Sequence, residues 1–167
     1  MKVAFFWGMI LGIGLPIYSL TAFEQKLDQQ SGRNSTLFKK GKKLYSTPGS
    51  CVTCHMTNGK GLEAAQFPPL VNTEWVTGSE AVLIRITLHG IQGPMKVGDK
   101  EYGLVPMVPT IWANWSDEEI AAVLTYIRNE WGNEASEISP ETVQKIRAKD
   151  GKRRAPWTVK ELEALKK

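Results

Sequence analysis

The chain has 167 residues, 42% of them hydrophobic and 23% charged, with a formal net charge of +4. That places it in the globular range with length for one compact core. The charge is uneven: residues 23–140 hold 11 basic against 13 acidic residues, whereas 141–167 hold 9 against 4. Basic character confined to a tail, with no basic stripe carrying interleaved aromatics, argues against nucleic acid as the partner and describes a solvated, solubilising face, contact with an acidic partner or anionic lipid being the alternative.

In chain order, Lys2 precedes an apolar run from Val3 to Leu15, and Ser19, Thr21 and Ala22 supply small residues for a signal peptidase. Residues 1–22 are read as a secretion signal. Leu20 fits poorly three positions before a cut at Ala22, so the uncharged stretch to Phe23 retained as an N-terminal membrane anchor is the alternative. Cys51 is the first cysteine, too far along for a lipid anchor. Residues 23–34 are a polar linker and a domain spans 35–132. Leu37 to Tyr45 form an amphipathic helix that Pro48 and Gly49 stop. Gly59, Gly61, Pro68 and Pro69 mark an irregular loop. A second helix is capped by Ser79, carries Val82, Leu83 and Ile86 on one face and stops at Gly90. Glycines and prolines from 90 to 110 make a long loop, the kind of segment that carries function in a compact domain.

Ser116 and Glu119 have capping-box spacing ahead of Ile120, Val123, Leu124, Ile127 and Trp131, and Gly132 ends that helix. Residues 133–167 form a basic helical extension with two short helices, one from Ser139 and Pro140, the other from Thr158 and Glu161. No segment alternates with period two, and there is no repeat. The expectation is an all-α chain of four or five short helices and long loops. Their apolar faces are thin for the length, so something besides protein is expected to fill the interior.

Cys51-Val52-Thr53-Cys54-His55 is a haem-attachment pattern: two thiols form thioethers with the vinyl groups, and the next histidine becomes the proximal iron ligand. A thioredoxin-like pair needs a βαβ setting that is missing. Zinc needs four ligands, and beyond the cysteines only His55 and His89 remain, far apart in sequence. A soft thioether suits the sixth position. Met1 and Met9 lie in the signal and Met56 adjoins His55. Met107, stiffened by Pro106 and Pro109, leads; Met95 in Gly93-Pro94-Met95 and then His89 are the alternatives. The second ring nitrogen of His55 needs an acceptor, and the Pro68 carbonyl is the candidate; alternatively Pro68 and Pro69 only break the chain. With no nucleotide-binding glycine pattern and no nucleophile and base pair, the chain reads as a one-electron carrier rather than an enzyme. The alternatives are a haem-bearing subunit of a dehydrogenase or oxidase, or a haem sensor or peroxidase with an open sixth position.

These residues resemble the class I c-type cytochromes from about Ser35 to Gly132. Gly41, Tyr45 and Tyr126 match the family's crossing of the first and last helices. Phe67-Pro68-Pro69-Leu70 looks like its Pro-x-Leu segment, which implies that Pro68 and Leu70 belong with Cys51, Cys54, His55 and Met107 among the cofactor-binding residues, His55 and Met107 being the metal ligands. Residues 90–95, Met107 and 117–132 resemble bacterial monohaem cytochromes and cytochrome domains of periplasmic dehydrogenases, with Pro-Met-Val-Pro here where Met-Pro is common. The resemblance implies a cytochrome c-like fold around one covalent haem c. It also implies a periplasmic location and redox proteins as partners: a dehydrogenase donor, and an oxidase or another cytochrome as acceptor. Trp112 and Trp115 are expected as haem-crevice and core aromatics, with electron-hopping sites as the alternative. Arg147 to Leu165 look like a tail that follows some such domains, packed along the surface or used for docking.

Overall fold

The computed structural model describes residues 33, 35–110 and 114–165; the expected signal or anchor, nearly all of the linker and Trp112 lie outside the described residues. In chain order the elements are α1 (Thr36–Tyr45), α2 (Val52–His55), a 3-10 turn (Glu63–Ala65), α3 (Glu74–Thr77), α4 (Glu80–His89), β1 (Ile91–Gln92), β2 (Met95–Val97), β3 (Lys100–Tyr102), α5 (Asp117–Asn129), α6 (Pro140–Asp150), β4 (Trp157–Thr158) and α7 (Val159–Ala164). Five of the helices begin at side-chain caps legible in the sequence. Ser35, Ser79 and Ser139 each accept a bond from a backbone N–H in the first turn, and Ser116 with Glu119 and Thr158 with Glu161 close full capping boxes. Each cap satisfies donors that a helix start would otherwise leave unpaired.

The frame is the crossing of α1 and α5. A Cβ on Gly41 would stand 1.9 Å from Ala122 O and 2.8 Å from Tyr126 Cβ, so glycine alone lets the two backbones meet there. Phe38, Tyr45, Tyr126 and Trp131 pack around the crossing with ring centroids 5.1–5.4 Å apart. Arg128 on α5 is 2% exposed. It donates to Val76 O (2.8 Å), Gly78 O (3.1 Å) and Ser136 O (2.9 Å), tying the end of α3 and the start of the extension to α5. A buried guanidinium is tolerated because its fork is filled with acceptors.

Three features differ from the sequence reading. The loop 90–110 contains β1, β2 and β3, with β2 and β3 antiparallel and Met95 opposite Tyr102. Strands of two or three residues are too short to display a period. The last helix of the domain ends at Asn129, before Trp131, which turns back at φ 55° and donates from Nε1 to Thr57 O (3.1 Å). The extension does more than lie along the surface. Ile138, Val143 and Ile146 join the main core, and β4 pairs in parallel with β1, Ile91 opposite Trp157. A second apolar cluster gathers Val82, Ile86, Ile91, Met95, Trp157 and Leu162.

Candidate functional site

α1 delivers the chain through Pro48 and Gly49 to Cys51, and the single turn of α2 places Cys51, Cys54 and His55 on the wall of one cavity of about 470 Å³. That volume is typical of a site for a bound organic group. Pro68, Leu70, Met95, Met107 and Trp115 line the same cavity, and the remaining wall is mostly apolar. The cavity therefore brings together all six residues singled out from sequence, plus Met95, but not His89, which lies outside its lining. Neither cysteine is in a disulfide. Burial pushes the Cys51 thiol up. That is opposite to the lowered thiol of a dithiol redox pair.

His55 is 7% exposed, and its Nδ1 lies 2.9 Å from Pro68 O. With Nδ1 donating to that carbonyl, Nε2 is the nitrogen left for a metal. Burial lowers the imidazole pKa against the opposing pull of the Pro68 carbonyl, which favours the neutral, ligating form.

The Pro68 carbonyl is itself held. Leu70 N donates to Gly59 O (2.7 Å), and Gly61 N donates to His55 O (3.1 Å). A Cβ on Gly61, where φ is +64°, would stand 2.6 Å from Pro68 O. Asn133, 1% exposed, donates to Leu70 O (2.9 Å) and Ile127 O (2.8 Å) and accepts from Asn72 N (3.0 Å), locking the Pro68–Leu70 segment to α5. Tyr45 Oη donates to Met56 O (2.7 Å), fixing the exit of the motif, and burial raises its phenol well above the ordinary range. The sequence reading missed Asn133. Its only signal was a polar residue directly after Gly132, which says nothing of a partner more than sixty positions away.

The two methionines of the loop are held differently. Met95 belongs to β2 and is 8% exposed within the second apolar cluster, while Met107 only flanks that cluster and is half-buried. Met107 N donates to Ile91 O (3.0 Å), and Met107 O lies where a Cβ on Gly90 would come within 2.3 Å. Around Met107, Leu104, Val105 and Val108 are exposed at 84%, 48% and 67%. The donor set fits a haem: two thiols, a neutral imidazole with an anchored second nitrogen and thioethers, all facing an apolar space.

Comparison with known proteins agrees with this geometry. The family profile described as cytochrome c matches residues 38–131. The chain is 36% identical over 118 residues to cytochrome c-552 of Thermus thermophilus, covering 65% of this chain and 85% of that protein. It is 31% identical over 120 residues to the fructose dehydrogenase cytochrome subunit of Gluconobacter japonicus, covering 69% of this chain and 24% of that protein. To the cytochrome c subunit of the quinone alcohol dehydrogenase of Gluconobacter oxydans it is 30% identical over 131 residues, covering 74% and 26% respectively.

Proposed function

Since the chain belongs to the cytochrome c family and is an electron-transfer protein with covalent haem c, we propose that it is an exported one-electron carrier with His55 and Met107 as axial ligands. The haem supplies a single iron that alternates between ferric and ferrous. The protein's part is to attach it through Cys51 and Cys54, to keep His55 neutral and oriented through Pro68, to exclude water with the apolar wall, and to hold a thioether at the sixth position. The observation that carries the reading is the single cavity on which both thiols, His55 and Met107 converge. Met107 is preferred to Met95 because Met95 is a buried strand residue inside the second apolar cluster, whereas Met107 is half-buried, packs against that cluster only from its flank and lines the same cavity as His55.

Export is supported by the charge and apolar pattern of residues 1–22, and haem attachment to cysteines takes place outside the cytoplasm in bacteria; among the described residues no helix is long and apolar enough to cross a membrane. The exposed Leu104, Val105 and Val108 beside the cavity suit a partner that approaches through an apolar contact, with a redox protein as donor or acceptor. A second reading, a subunit bound to a dehydrogenase, is favoured by the names of two relatives. Co-purification with a dehydrogenase from the native host separates it from a free carrier.

The test is the visible spectrum of the purified protein in both redox states. Covalent haem with a methionine-to-iron charge-transfer band in the ferric form is expected, and the band disappears in Met107→Ala while the haem stays attached. Loss of the band in Met95→Ala instead would reassign the ligand, and rapid carbon monoxide binding by the reduced wild type at neutral pH would point to a sensor or peroxidase.

A further inference from the structure

The segment carrying Met107 is tied at its end, where Pro109 is buried and Thr110 Oγ1 donates to Thr87 O (2.8 Å), but has little to hold it before that. Pro106 and Pro109 lack N–H donors, and Leu104, Val105 and Val108 face solvent. Its backbone is fastened where Met107 N donates to Ile91 O (3.0 Å). Successive carbonyls of an extended strand point to opposite edges, and the carbonyl before Ile91 is taken on the other edge: Trp157 N donates to Gly90 O (3.0 Å). β1 therefore lies between the C-terminal extension and the Met107 segment, and a two-residue strand is not stable by itself.

The extension is well anchored on its side. The Trp157 ring is 8% exposed within the second apolar cluster, with the Arg153 guanidinium 3.6 Å and that of Arg85 5.7 Å from its centroid. Arg153 is held by Glu161 (2.9 Å), and Leu162 is fully buried. The extension also contacts the residues just ahead of α5. Arg147 Nη2 donates to Trp115 O (2.8 Å) and its Nε to Asp117 Oδ1 (2.6 Å), and Trp115 lines the cavity.

We propose that the C-terminal extension holds the sixth-ligand loop from outside, with Trp157 and Arg147 as positioning residues that keep Met107 on the iron. This rests on the reading of Met107 as the ligand. A weakly bound thioether competes with exogenous ligands, and its success depends on how little the loop moves when the sulfur lets go. Backing β1 with a buried tryptophan limits that movement.

The test uses the full-length haem-loaded protein and imidazole as the competing ligand of the ferric form. Trp157→Ala is expected to keep its haem and helical circular dichroism, to weaken the methionine-to-iron band, and to bind imidazole about tenfold more tightly, with Trp157→Phe largely restoring the wild type. A Trp157→Ala protein that loses thermal stability while band and imidazole affinity stay within about twofold of wild type overturns the proposal, leaving the extension a purely structural element. Where Trp157→Ala does not fold, Arg147→Ala, outside the core, is measured in the same two ways: a weaker band with tighter imidazole binding supports the holder, and no change in either overturns it. Persistence of the band in Met107→Ala shows that the ligand reading itself failed, and that outcome is distinct from failure of the holder.

Discussion

Gly90 shows how much a single backbone position can control. It sits at φ +78°, a conformation that costs a side-chain-bearing residue strain, and an added Cβ would stand 2.3 Å from Met107 O. Gly90→Ala is expected to destabilise the protein by about 1–3 kcal/mol and to weaken the methionine band, read by thermal unfolding and ferric absorption. A second residue-scale effect belongs to His89, 4% exposed at the end of α4, whose Nε2 has no partner among the described residues. Burial lowers its pKa below the ordinary 6.5, opposed by Asp150 and reinforced by Arg153, Arg147 and Arg154. The folded state then binds a proton less readily than the unfolded chain. Stability from this group is complete above the unfolded pKa and is lost as pH falls through the folded one. The thermal midpoint is expected to drop as pH falls below about 6.5, and that slope to flatten in His89→Gln.

Among the elements, the α1–α5 crossing is the most constrained contact. Gly41→Ala puts a methyl 1.9 Å from a helix carbonyl, with no flexible side chain to yield. A loss of about 3 kcal/mol in unfolding free energy is expected by denaturant titration, as the helices separate and the Tyr45–Tyr126 contact opens. The same crossing positions the haem site at a distance, since Tyr45 fixes Met56 O and Asn133 ties α5 to the Leu70 carbonyl. Burial pushes the Tyr126 phenol up to about 12, so it remains a neutral core ring through the physiological range.

Taken as one body, the molecule keeps its basic excess in the 141–167 tail, away in sequence from an exposed apolar rim beside the cavity. Leu104 and Val108 are 84% and 67% exposed. An apolar rim allows close approach without strong steering, so electron exchange is expected to depend weakly on salt. Electron self-exchange between two copies, followed by line broadening in mixed-oxidation samples, needs no identified partner. The double variant Leu104→Glu and Val108→Glu is expected to slow it roughly tenfold at low ionic strength, through like-charge repulsion between the two faces, with partial recovery on adding salt. An unchanged rate would place the contact on another face.

Local chemistry was legible from the order of residues alone. Cys51, Cys54 and His55 fall within five consecutive residues, the caps at Ser35, Ser79, Ser116, Ser139 and Thr158 are partnerships across three residues, and the Pro68 carbonyl lies in a segment whose prolines remove competing helix bonds. Whatever depends on distant parts of the chain meeting took shape only in the folded molecule. Asn133 finds Asn72 and Leu70, Trp131 folds back onto Thr57, and Trp157 reaches β1 after a long excursion through α5 and α6. The short strands that join the extension to the Met107 segment have no period to read, and their pairing exists only because apolar burial around Trp157 and Leu162 brings the edges together.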